Sequence, residues 1–247
     1  MLKSELIEML KQIFESGGNH DPFKLSEIRE KLIDFLKAEK EKSLLSYENN
    51  ENIVIAIDAV RFIDANYIFA KTSNRIEASI PVKPLFDRLI QLDDWNYYEL
   101  KFLIGLINFA PNAEQAVRFA AKAEKAIMNF QIADNTDVSK GALACNVCSR
   151  LLYAKYFDDD VKDELTQEFS TWFCKLEQLA KLNNELEVLF LATRIRQAIF
   201  NNDFQEVDEL FKRVVANSDE KIVKVVKSEI CFYIASRGGE ESCVFIT

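Results

Sequence analysis

Six glycines and four prolines among 247 residues leave this chain few ways to turn sharply. Glycine supplies positive φ and proline presets φ, and between them they make most tight turns. A β-rich or α/β chain of this length needs many more of both, so long helices with short connections are the expected construction. Hydrophobic residues make up 49% of the sequence, ample for a sizeable core and too many for a disordered chain.

Helical periodicity begins at once. Leu2, Leu6, Met9, Leu10 and Ile13 recur at steps of three and four, and Gly17-Gly18 ends that helix. "NHDPF" reads as a loop, and Ser26 as the N-cap of a second helix carrying Ile28, Leu32, Phe35 and Leu36. A third helix is expected over about 52 to 71. Its opening run "IVIAI" has the composition of a strand, but it has no partner run and helices surround it, so it reads as buried helix.

"TSNRIEASIPVKP" joins loop residues with prolines and separates these three helices from the rest. Residues 1–75 are therefore read as N-terminal helices and 76–247 as helical repeats, together one continuous structural domain. Further helices are expected at about 82–92, 94–110, 112–130, 138–156, 160–182, 185–201, 203–217 and 219–236. Starts near 94, 138, 184 and 219 recur about every 35 to 46 residues, the range of two-helix solenoid repeats. The expected fold is all-α, with stacked antiparallel helix pairs forming a tetratricopeptide-like right-handed solenoid.

Forty acidic against 31 basic residues give a formal charge of −9, which opposes a phosphate backbone and leaves no basic stripe. No direct nucleic-acid contact by this chain is expected. No apolar run approaches the roughly 20 residues that cross a bilayer, and the N-terminal helix carries acids inside its apolar pattern, unlike a signal peptide. Five scattered cysteines, an odd number, fit a reducing compartment, and a cytoplasmic location follows.

Candidate chemistry centres on "QLDDWNYYELKFLIGLINF" at 91–109. On a helix, Trp95, Tyr98, Phe102, Leu106 and Phe109 make one apolar face and Tyr97, Leu100, Ile104 and Ile107 a second. Two apolar faces require packing on two sides, as in the middle of a stack. Lys101, Gly105, Asn108 and Asn112 form a narrow polar edge, and Gly105 lets a neighbour approach the backbone closely. Glu99 beside aromatics is a candidate general acid, but no second carboxylate is fixed by spacing. Asp93 and Asp94 read as caps at the helix start.

His20 is the single histidine, and no turn motif marks a nucleophile, so a triad and imidazole-based metal sites lack support. Cys145 and Cys148 form a C-x-x-C inside an expected helix, where small buried core thiols are the plainer reading. Neither catalysis nor a metal or cofactor is expected.

Polar residues at helical spacing rise above this background. Asn146, Arg150 and Tyr153 form one stripe, and Arg194, Gln197 and Asn201 another. In a solenoid the first helices of successive pairs line the concave face, where these stripes would converge with Lys101 and Asn108. Asn amides pair with an extended peptide in both directions, and Arg clamps a carboxylate bidentately. The expected peptide-binding set is Lys101, Asn108, Asn146, Arg150, Tyr153, Arg194 and Gln197. Taken singly, each is also what an ordinary solvated helix face carries.

"LFDRLIQLDDWNYYELKFLIGLINF" at 85–109 resembles a segment shared by the Rgg/GadR/MutR regulators of Gram-positive bacteria, with Trp95, Tyr98, Glu99 and Leu100 on its motif positions. "VIAIDAVRFIDANY" resembles the first helices of that family's C-terminal region, and "NVCSRLLYAKYFDD" its repeat, with Asn146, Leu151 and Leu152 in place. The likeness spans about 25 to 235. It implies a cytoplasmic, dimeric, helical-repeat sensor that holds a short hydrophobic peptide pheromone in a concave groove. The family's helix-turn-helix pattern does not precede the repeats, so the expectation is either the sensor domain of a longer regulator or a chain that lacks its DNA reader, with no DNA-binding domain in the sequence itself. Only Asn146 lies on a family motif position; the other binding residues come from helical geometry. The alternative is a tetratricopeptide-like scaffold for protein partners.

Overall fold

The computed structural model describes residues 2–15, 22–42, 50–72, 74–130, 135–157 and 163–235. Among them the regular structure is entirely helical. Eleven α-helices run in order: α1 Ser4–Glu15, α2 Pro22–Lys42, α3 Glu51–Thr72, α4 Arg75–Leu89, α5 Tyr97–Leu106, α6 Ala113–Ile127, α7 Thr136–Phe157, α8 Asp163–Leu182, α9 Glu187–Phe200, α10 Phe204–Asn217 and α11 Glu220–Ala235. Short 3₁₀ turns follow α5 and α6 and precede α9. No described helix is long and apolar enough to cross a membrane. The chain divides into two compact units, Met1–Pro111 and Asn112–Thr247.

In the first unit α3 is the central element, packed against α1, α2, α4 and α5. The run "IVIAI" is helical, with Ile53, Ile55, Ala56 and Ala59 all buried. Burial on several sides explains why its composition imitates a strand. Phe14, Phe62 and Phe102 meet in one aromatic cluster, with ring centroids 5.2 to 5.9 Å apart. Gly105 faces this cluster: a Cβ there would stand 2.6 Å from Phe62 Cε2. The close approach expected at this glycine is made by a phenylalanine ring.

Three boundaries depart from the sequence reading. The second helix starts at Pro22, one turn before Ser26, because a proline's fixed φ suits a first helical position. The segment read as loop before residue 82 is helical from Arg75 onward, with Pro81 and Pro84 inside α4. Asn74 caps it, accepting from the N–H groups of Ile76 and Glu77 at 3.0 and 3.2 Å. Ala78, Val82, Leu85, Phe86 and Leu89 then form a buried stripe. That burial outweighs the hydrogen bonds each proline removes.

The third departure is at the helix of the aromatic motif, which starts at Tyr97 and not at residue 94. Asp93 and Asp94 are exposed and precede the helix, and the cap is Asn96.

In the second unit α7 packs against α6, α8 and α9, and α9 against α10 and α11. The core between α9, α10 and α11 is built from Leu191, Ile195, Ile199, Val207, Phe211 and Ile230 with their neighbours. Ala116, Ala120 and Ala123 are fully buried on α6, as small residues on a close-packed face should be. Gly141 lets Leu186 lie against α7, since a Cβ would stand 2.5 Å from Leu186 Cδ2. Asn202 ends α9 at φ 59°, with Asp203 N–H donating to Ala198 O and Asn202 N–H to Ile199 O. This double closure is the Schellman pattern, in which Asn replaces the usual Gly.

Candidate functional site

The aromatic motif folds into a clamp. Glu99 N–H donates to Asn96 Oδ1 at 3.0 Å, and Asn96 N–H donates to Glu99 Oε2 at 2.9 Å, a reciprocal capping box. The other carboxylate oxygen, Oε1, accepts from Arg88 Nη1. Arg88 Nη2 in turn donates to Asp58 Oδ2, and Asp58 Oδ1 accepts from Arg61 at 3.3 Å. Trp95 Nε1 donates to the carbonyl of Leu89 at 3.1 Å. One arginine on α4 thus ties α3 to the start of α5. Glu99 is 7% exposed with both oxygens occupied, so it orders backbone and an arginine.

Asp58 is 1% exposed. Burial raises its carboxyl above the ordinary value of 3.8, although Arg88 and Arg61 pull it down. For Arg88, burial works against the charge, and the hydrogen bonds and charges of Glu99 and Asp58 outweigh it and raise the guanidinium further. A carboxyl raised in the folded state takes up its proton before the unfolded chain does, so its contribution to stability falls as pH rises. The window opens at 3.8 and extends to the raised folded value. The unfolding free energy of wild type minus that of Asp58→Asn should therefore fall as pH climbs through this window, measured by urea titrations at several pH values.

Of the residues expected to bind peptide, Lys101 and Asn108 belong to the first unit and the other five to the second. Lys101 Nζ lies 5.6 Å from the Tyr97 ring centroid. Asn108 is engaged by Arg75, which donates to its backbone carbonyl at 2.8 Å and to Oδ1. In the second unit, Asn146 and Tyr153 are half-buried on α7 and Arg150 is 5% exposed, its guanidinium 5.9 Å from the Tyr153 ring centroid. Arg194 on α9 pairs with Glu206 in the first turn of α10, and Gln197 is half-buried. The two stripes therefore stand on helices that pack together, α7 and α9.

Between these helices runs a polar seam that the sequence reading missed. Arg196 Nη1 donates to Ser149 Oγ at 2.8 Å, and Thr193 Oγ1 lies 3.4 Å from Cys145 Sγ. Ser149 and Thr193 also bond back to the carbonyls of Cys145 and Leu189 at 2.9 and 2.8 Å. The signal was present as polar residues at steps of three and four, Cys145 with Ser149 and Thr193 with Arg196. Cys145 and Cys148 are buried and free of disulfides. Burial, with a smaller push from Cys145, raises the Cys148 thiol well above its ordinary value despite Arg196, and a protonated buried thiol is a poor nucleophile.

Cys174 and Cys231 likewise form no disulfide, and His20, Cys243 and the Gly17-Gly18 pair lie outside the described residues. Among the described residues no three His, Cys, Asp or Glu side chains gather as a metal ion would require.

Fold and site together define an all-helical protein with a salt-bridged clamp in one unit and paired polar stripes in the other. No protein-family model matches the chain, and no curated protein or solved structure does.

Proposed function

We propose that this chain is a peptide-sensing helical-repeat domain of the Rgg-like kind, which binds a short hydrophobic peptide and acts as a cytoplasmic homodimer without catalysis or DNA contacts of its own. The observation that carries the reading is the packing of alternate helices. α7 lies against α9 and α9 against α11, with α8 and α10 between them in sequence, as in stacked helix pairs of a tetratricopeptide-like solenoid. Asn146 and Tyr153 on α7 and Gln197 and Arg194 on α9 thus stand on helices that pack together. Amides and an aromatic hydroxyl suit the main chain of an extended peptide.

The test is calorimetry with a library of short hydrophobic peptides, and light scattering for the dimer. Asn146→Ala and Tyr153→Ala should each weaken peptide binding roughly tenfold, the loss of one or two hydrogen bonds to a partly buried ligand. Arg150→Ala should weaken it as well, by releasing Tyr153. A library without a binder, or variants that bind as wild type does, overturns the reading.

A tetratricopeptide-like scaffold for a folded partner is favoured instead by Ile76 and Ile80, four apart on α4 and 70% and 67% exposed. Loss of a partner on Ile76→Ser with Ile80→Ser, together with silence toward peptides, would support it.

A further inference from the structure

α6, α7 and α8 enclose a cleft of about 320 Å³ within the second unit. Its walls are apolar, with Leu143 and Ala144 from α7 and Trp172 and Leu179 from α8. Met128 and Leu182 line it too and are 46% and 84% exposed, so large apolar surface continues to the rim. Lys140 and Lys175 are the cations of the lining and Glu124 its acid. Lys175 Nζ donates to both Glu124 oxygens at 2.9 and 2.8 Å and lies 4.2 Å from the Trp172 ring centroid.

Two lysines against one glutamate leave a positive excess at this cleft, in a chain whose formal charge is −9. Sign and shape thus agree on a ligand with an apolar body and one anionic end. The size is at the lower bound of ordinary small-molecule pockets, which run from about 300 Å³. A lysine already held by Glu124 and Trp172 is positioned in advance, so a second carboxylate meets it at little cost in side-chain freedom.

We propose that the α6–α7–α8 cleft is a binding site for an aliphatic carboxylate, with the apolar chain against Trp172, Leu143 and Leu179 and the carboxylate at Lys175 and Lys140. The site is distinct from the proposed peptide stripe. At 3.6 residues per turn, the mean direction of Lys140, Leu143 and Ala144 lies about a third of a turn away from that of Asn146 and Tyr153 around α7. Binding at the cleft and binding at the stripe therefore succeed or fail separately.

Calorimetry with the full chain tests it, using decanoate in one arm and acetyl-trileucine with a free C-terminus in the other. Decanol and the amidated peptide are the controls that keep the apolar body and remove the charge. At least one carboxylate should bind, and its neutral counterpart should bind roughly tenfold more weakly. Which arm responds tells a free acid from a peptide terminus. Lys175→Gln should weaken the carboxylate by a similar factor, and because Lys175 and Glu124 are more than a third exposed it should leave the fold intact. Gln178→Phe, an exposed position on the lining, should obstruct the cleft and abolish binding without touching the core. Absence of binding in both arms overturns the proposal, as does equal binding of the neutral controls or indifference to both substitutions.

Discussion

Replacing Arg88 with methionine should lower the unfolding free energy of the first unit by about 3–5 kcal/mol, the cost of breaking a buried ion pair from one side. Arg88 is the shared partner of Asp58 and Glu99, whose side chains are 1% and 8% exposed. Without the guanidinium, Glu99 keeps the Asn96 N–H and Asp58 keeps Arg61 at 3.3 Å, but neither retains its close cation. Methionine keeps most of the apolar stem, so the loss reports charge and hydrogen bonding more than packing. Adding Asp58→Asn and Glu99→Gln to Arg88→Met should recover a large part of the loss, because the stranded charges are then gone. The measurement is the urea midpoint, with hydrogen exchange along α3 and α5 to place the effect. A shift under 1 kcal/mol would show that the clamp carries little stability, and no recovery in the triple variant would show that stranded charge is not the source of the loss.

The clamp also shows what one sequence reveals and what it hides. Helix content and the order of elements are legible because apolar spacing is a local signal, and α6 through α11 lie close to where that signal puts them. Glu99 stands out beside Trp95 and Tyr98, and its link to the Asn96 N–H is a local pattern of the capping-box kind. Its link to Arg88 and Arg88's link to Asp58 are not local. Asp58 sits 30 positions before Arg88, and no spacing rule joins α3 to α4 at those residues. α4 was hidden for a different reason: Pro81 and Pro84 carry a strong breaker signal, whereas the burial of Val82, Leu85 and Phe86 that overrides it exists only once α3 is in place.

The same distinction governs the candidate binding residues. Stripes such as Asn146 with Arg150 follow from helical geometry, and their helices do pack together. Which partner each side chain takes does not follow. Arg194 is spent on Glu206 and Asn108 on Arg75, both through contacts between elements. Arg150, exposed in a helical-wheel view, is buried over Tyr153 because α7 has neighbours on three sides.

Phe102→Ala should cost about 3–5 kcal/mol, the range for emptying an aromatic site in a core. Phe102 is fully buried, with Phe14 and Phe62 at 5.2 and 5.7 Å between centroids. Its ring helps to fix Phe62, and Phe62 fills the space that Gly105 leaves open. In the wild type, Gly105→Val has no room: the new Cβ would meet Phe62 Cε2 at 2.6 Å, and Phe14 and Phe102 block the ring's retreat. Overpacking of this kind costs about 1–3 kcal/mol. In the Phe102→Ala background the Phe62 ring gains a cavity to move into, so Gly105→Val should cost less there than in the wild type. The double-mutant cycle should give a coupling of about 0.5–3 kcal/mol favouring the pair over the sum of the singles. Strict additivity would mean that the ring stays fixed without Phe102, and would overturn the account of Phe102 as the residue that helps to hold the Phe62 ring against Gly105.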